Sequence, residues 1–216
     1  MANTDGFINE VNEEVRRDRM TAMFRRWAPV GVLLVIAIVG GAAWVEWSRA
    51  RETARAEAFG DAVLAAQSRE DPQARRAALS DIEADVADRA GVLGLLTSGT
   101  AAGDDGAVDP AALLALADTP GLAPVYRDLA VLKAMLAGGS GDAARDAALL
   151  DEIATPGRPY RHLAIERQAM VAIATGDEAT ALTLLRLLTQ EAGVTQSLRR
   201  RAAQTIVALG AEPEPA

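Results

Sequence analysis

The 216-residue chain contains no cysteine. Disulfides, thiolate metal sites and cysteine nucleophiles are thereby excluded, and the redox compartment stays open. Histidine is nearly absent too. His162 stands alone between Arg161 and Leu163, and one imidazole without cysteine or clustered acids does not make a zinc site. A surface or partly packed role is expected for it. Aromatic residues make up only 4% of the chain, while half of it is hydrophobic. Alanine and leucine carry that apolar content, and both are strong helix formers. Valine and isoleucine form no period-2 runs outside one opening segment. An all-α protein is the expectation.

Chemistry-bearing motifs are also missing. There is no glycine-rich phosphate cradle and no G-x-S-x-G elbow. "GDDGAVD" offers Asp104, Asp105 and Asp109, but it lacks the alternating acids and closing glutamate of a calcium loop. Neither an enzyme, a metal, a cofactor nor a small-molecule substrate is expected. Basic charge is short as well: 22 Lys and Arg stand against 30 Asp and Glu, for a net charge of −8. Residues 1–26 hold five acids and five arginines, so the deficit belongs to the part after Trp47. An acidic domain repels phosphate backbones, and nucleic acid is not an expected partner.

One stretch is long and apolar. Ala28–Val45 is 18 residues without a charge, a rise of roughly 27 Å against a hydrocarbon core of ~30 Å. Trp27 lies at one edge, and Trp44 and Trp47 at the other. Indoles favour the headgroup zone. Arg25 and Arg26 close one side, Arg49 and Arg51 the other. Pro29 is expected in the first helical turn, where its missing N–H matters least. A polar arm of 26 residues before the run is long for a cleaved signal peptide, so an uncleaved anchor over residues 27–47 is expected, in contact with a lipid bilayer. Arg16, Arg17, Arg19, Arg25 and Arg26 precede the run; Arg49, Arg51 and Arg55 follow it. That bias places the arm, residues 1–26, in the cytoplasm and exports the rest. The arm itself has Phe7, Ile8, Val11, Val15, Met20, Met23 and Phe24 at helical spacing. Two readings stand: a helix lying on the inner leaflet or on a partner's loop, and a solvated extension that only supplies arginines.

Residues 48–209 read as helices separated by short breaks, and residues 210–216, "GAEPEPA", as a disordered tail. The first helix continues from the membrane with Ala54, Ala58, Phe59, Ala62, Val63 and Ala66 on one stripe. Asp71-Pro72 and Asp109-Pro110 each start a helix, the aspartate capping and the proline at the first position. "YRDLA" at 126–130 recurs as "YRHLA" at 160–164, "GD" at 141–142 recurs at 176–177, and "TPG" at 119–121 recurs at 155–157. Three markers in one order, all about 34 residues apart, predict a solenoid of helical hairpins. Glycine ends one helix of each pair and aspartate caps the next. Ala169, Ala172 and Ala181 permit close helix approach, and Thr195–Leu209 is the expected capping helix.

"IERQAMVAIATGDEATALTLLRLL" resembles a tetratricopeptide repeat, with Ala169, Gly176-Asp177 and Ala181 at the repeat's relative spacing and Ile165, Ala172 and Leu185 in place of bulky aromatics. The full layout, with "NEEVRRDR", the "RRWAPVGVLLVIAIVGGAAWVEW" span and the alanine-rich helix after it, is similar to the bacterial ancillary subunit of the Sec translocon. That resemblance implies a single-pass inner-membrane protein with a periplasmic tetratricopeptide-like domain. It also implies as partners the translocon, membrane-bound periplasmic chaperones and exported chains, with a role in handing those chains over. A structural accessory subunit of another inner-membrane complex, respiratory or cell-division, is the alternative. In a helical-hairpin solenoid the first helix of each pair lines a concave groove. Arg127, Lys133, Arg161, Arg167 and Gln168 fall on those helices and form a weakly basic strip suited to acidic or extended segments. The competing reading pairs these arginines with Asp128, Glu166 and their neighbours.

Overall fold

Alanine, leucine and arginine, all good helix formers, dominate long stretches, and helix is the result. The computed structural model describes residues 4–98 and 108–212, with side chains described at 25–27, 29–98 and 108–212. The described residues form nine helices and no strand: α1 Thr4–Gln67, α2 Pro72–Ser80, α3 Ala87–Thr97, α4 Pro110–Ala117, α5 Pro124–Leu136, α6 Ala143–Ile153, α7 Arg161–Ala174, α8 Glu178–Gln190 and α9 Gln196–Ala208. The chain divides into two units, Met1–Asp61 and Ala62–Ala216.

The first unit is most of α1. Pro29 lies inside this helix rather than in its first turn, which corrects the sequence expectation. Nothing between Phe7 and Ala28 stops a helix, so the arm runs directly into the apolar stretch. The cost is one missing N–H and crowding at the carbonyl four residues back. α1 is the one described helix long and apolar enough to cross a membrane, and none of its apolar window is buried by protein. A core helix of a soluble fold would show the opposite. The apolar face expected for the arm lies on side chains outside the described residues, as do Asp104, Asp105 and the last four residues of the tail.

The second unit is built by capping and by small-residue packing. Asp71 accepts a hydrogen bond from Ala74 N–H, and Asp109 accepts one from Ala111 N–H, with Pro72 and Pro110 leading the helices. Asp142, Asp177 and Thr195 cap α6, α8 and α9 in the same way. Gly141 and Gly176 hold φ of 83° and 81° before the two capping aspartates, a region that costs any residue with a Cβ roughly 1–2 kcal/mol.

Helices pack largely on their sequence neighbours: α4 on α5, α6 on α7, α7 on α8 and α8 on α9, with α5 also touching α3 and α7. One apolar cluster draws on α3 to α6 and reaches Ala164 of α7; a second joins Ile165 and Ala169 of α7 to α8 and α9 through Leu185, Leu188, Leu198 and Ile206. Burying each leucine contributes about 2–3 kcal/mol. Ala130, Ala134, Ala164, Ala169 and Ala181 are fully buried where helices meet, the small-residue contact expected of Ala169 and Ala181. Gly91 and Gly94 were not foreseen as contacts. A Cβ on Gly91 would lie 2.5 Å from Leu122 Cδ1, and one on Gly94 2.7 Å from Leu116 Cδ2, so their missing side chains let α3 seat against Leu116 and Leu122. On α1, the stripe is half-buried or buried from Phe59 through Ala62, Val63 and Ala66, while Ala54 and Ala58 are exposed.

Candidate functional site

The five residues of the expected strip lie on α5 and α7, and each is engaged within the chain. Arg127 Nη2 donates to Glu152 Oε2 at 3.0 Å. Lys133 Nζ donates to the Leu95 carbonyl at 2.8 Å and to Ser98 Oγ at 3.1 Å. Arg161 pairs with Glu191. Arg167 Nη2 donates to the Met135 carbonyl at 2.8 Å, and Gln168 Nε2 to Asp151 Oδ1 at 2.7 Å. Arg127 and Arg161 are paired with acids, Glu152 and Glu191, and Arg167 with a backbone carbonyl; Asp128 binds Arg158 and Glu166 binds Arg201.

These contacts follow a rule that sequence reading missed. Lys133 and Arg167 are 34 residues apart. Each sits on an odd-numbered helix and donates to a carbonyl in the last turn of the odd-numbered helix before it, Leu95 on α3 and Met135 on α5. A cation at that position neutralises orphan carbonyls and the negative end of the helix dipole. The helix starts are joined too. Asp88 of α3 accepts from the N–H of Ala123, the residue before α5, at 2.9 Å. Asp128 of α5 accepts from Arg158, ahead of α7, and Arg161 at the start of α7 holds Glu191, ahead of α9. The identity of each partner is a tertiary fact; the matched Lys133 and Arg167 at the repeat offset were the available signal.

Electrostatics follow from these pairs. The hydrogen bond from Arg127 holds Glu152 below the usual carboxylate range, and Glu152 in turn raises Arg127. Arg161 lowers Glu191 likewise, with His162 adding a smaller pull. Burial lowers Lys133. His162 is half-buried, with Nε2 3.7 Å from Glu191 Oε2.

Two of the five residues, Arg167 and Gln168, line a cleft of about 470 Å³ between the end of α5, α6, α7 and α8. Its floor is apolar: Met135, Leu150 and Ala172, with Leu184 beside them. Its rim carries Asp146, Asp151 and Asp177. Arg127, Lys133 and Arg161 do not line it. Three aspartates and one arginine line this cleft, so the charge around it is acidic. No catalytic arrangement of nucleophile, base and oxyanion donors is formed there by the described residues.

On α1, Trp27, Trp44 and Trp47 are all exposed, as are Arg25 and Arg26. The Trp44 and Trp47 rings lie 5.4 Å apart at 49°, and the Arg51 guanidinium sits 3.7 Å over the Trp47 ring. Aromatic rings and a cation that reaches along them fit a water–lipid boundary.

No protein-family profile matches the chain, and neither a curated protein nor a solved structure matches it.

Proposed function

We propose that the chain is a membrane-anchored protein–protein interaction module, inserted once through residues 27–47 with its N-terminus in the cytoplasm and its helical domain in the periplasm. The observation that carries this reading is the charge-free stretch of α1, left unburied by the rest of the chain and edged by tryptophans. Left in water, so many exposed aliphatic side chains would aggregate; a bilayer is the solvent that accepts them.

The second unit is read as an array of tetratricopeptide-like hairpins. Its support is the paired glycine–aspartate turns, the 34-residue recurrence of the Lys133 and Arg167 clamps, and α9 as a closing helix with Arg200, Gln204 and Val207 exposed. Such arrays bind polypeptides through the surfaces their helices leave open. The similarity of layout to the ancillary subunit of the Sec translocon favours the translocon, periplasmic chaperones and exported chains as the partners.

The experiment is purification of the full chain in mild detergent after cross-linking in cells, with partners identified by mass spectrometry. Cross-links from the helical domain to the translocation channel or to newly exported chains support the reading. Retention of all partners by residues 1–55 alone, with respiratory or division proteins among them, would transfer the chain to the class of structural accessory subunits.

A further inference from the structure

We propose that the cleft between α6 and the α7–α8 pair receives a cationic polypeptide segment that carries an aliphatic or aromatic side chain. The inference rests on the interaction-module reading and gives that module's partner a chemistry. The floor supplies the apolar half of the argument. Met135 and Leu150 are each 2% exposed, Ala172 is 8% exposed, and Val171 stands 40% exposed on the wall. A cavity of about 470 Å³ lies within the ~300–1,000 Å³ of ordinary ligand sites, enough for a few side chains but not for a folded domain.

The rim supplies the charge. Glu152, Glu166 and Glu191 on nearby surfaces are each salt-bridged to an arginine. Asp146, Asp151 and Asp177 form no ion pair with any described residue. Their hydrogen-bond donors are neutral: Ser140 N–H at 3.0 Å to Asp146, Gln168 Nε2 to Asp151, and Thr180 N–H at 3.0 Å to Asp177. These donors orient the carboxylates but bring no cation to them; Asp146 and Asp177 have besides only the positive ends of the α6 and α8 dipoles. Hydrogen bonding from Thr180 also keeps Asp177 ionised, below its ordinary range. The one cation in the lining, Arg167, is already committed to the Met135 carbonyl.

Each alternative occupant leaves part of the cleft unused. An acidic segment meets three like charges. A polyamine satisfies the rim and leaves the apolar floor empty. A segment with lysine or arginine beside leucine or phenylalanine fills both, since opposite charges at a surface add affinity and steer encounter.

The test uses the full chain in nanodiscs of zwitterionic lipid and a fluorescein-labelled peptide of alternating leucine and lysine, read by anisotropy. The same peptide with glutamate for lysine is the comparison. The leucine–lysine peptide is expected to bind, to weaken at high salt, and to lose affinity by roughly tenfold or more in an Asp146→Asn/Asp151→Asn/Asp177→Asn variant. Val171→Lys places a like charge on the exposed wall and is expected to weaken binding without touching a cap. It decides the matter if the triple variant loses its helical circular dichroism. Unchanged binding by folded variants, or preference for the glutamate peptide, would overturn the proposal. Failure is separable from that of the broader reading: cross-linked partners retained by the triple variant sink the cleft alone, whereas no partner on the unaltered chain sinks the module.

Discussion

Asp128 is the one fully buried charged side chain among the described residues. Its Oδ1 accepts from Arg158 at 2.5 Å, while its Oδ2 has no partner. Burial raises its pKa, and the Arg158 charge opposes that rise. Glu152 and Glu191 respond in the opposite sense, lowered by hydrogen bonds from Arg127 and Arg161. The signs give a pH dependence. A carboxylate with a lowered folded pKa contributes stability present above its unfolded value and lost as pH falls through the folded one. A raised carboxylate contributes stability present below its unfolded value and lost as pH rises through the folded one. Two clamps thus weaken below about pH 4, with Asp128 partly offsetting them. The thermal midpoint of the helical domain, followed by circular dichroism on the full chain, is expected to fall between pH 7 and pH 3. Glu152→Gln with Glu191→Gln should lower the midpoint at pH 7 by roughly 3–6 °C, at about 0.5–1 kcal/mol per pair, and flatten the acid fall. A double variant as steep in acid as the parent would show that these clamps do not hold the helices together.

Elements are where sequence and structure agree most. Asp71, Asp109, Asp142 and Asp177 all cap the helices their local patterns announced, because a cap is settled by a few adjacent residues. Pro29 shows the limit of local reading. Proline at a helix start and proline inside a longer helix look alike over one turn; only the helix continuing from Thr4 separates them. The clamps lay further beyond reach. Arg127 and Glu152 are 25 residues apart, and Lys133 and Leu95 38, so the partner depends on how helices stack rather than on the chain nearby. The acidic cleft was hidden for the same reason, since Asp146, Asp151 and Asp177 come from different turns and line one cleft only when α6 and α8 both pack on α7. The paired turns make an element-scale prediction. Gly176→Ala forces a Cβ into φ near 81° and is expected to cost about 1–2 kcal/mol, a midpoint drop of roughly 3–8 °C. Gly60→Ala, in a helical stretch with open space around it, is the control and should leave the midpoint unchanged or slightly raised. Equal effects from the two would remove the argument that the turn before Asp177 needs glycine.

At the scale of the molecule, two chemistries share one chain. A stretch of α1 without charge lies outside any protein core, while Ala62–Ala216 forms a unit with its own apolar clusters. As proposed above, the first is an anchor within the bilayer and the second an interaction module exported across it. Because the chain has no cysteine, single cysteines report that placement without background. Ala192→Cys, exposed between α8 and α9, and Ala2→Cys are to be treated separately with a membrane-impermeant thiol reagent in intact spheroplasts. An exported helical domain requires labelling of Ala192→Cys before lysis and of Ala2→Cys only after it; the reverse pattern, or recovery of both variants in the soluble fraction, rules that placement out.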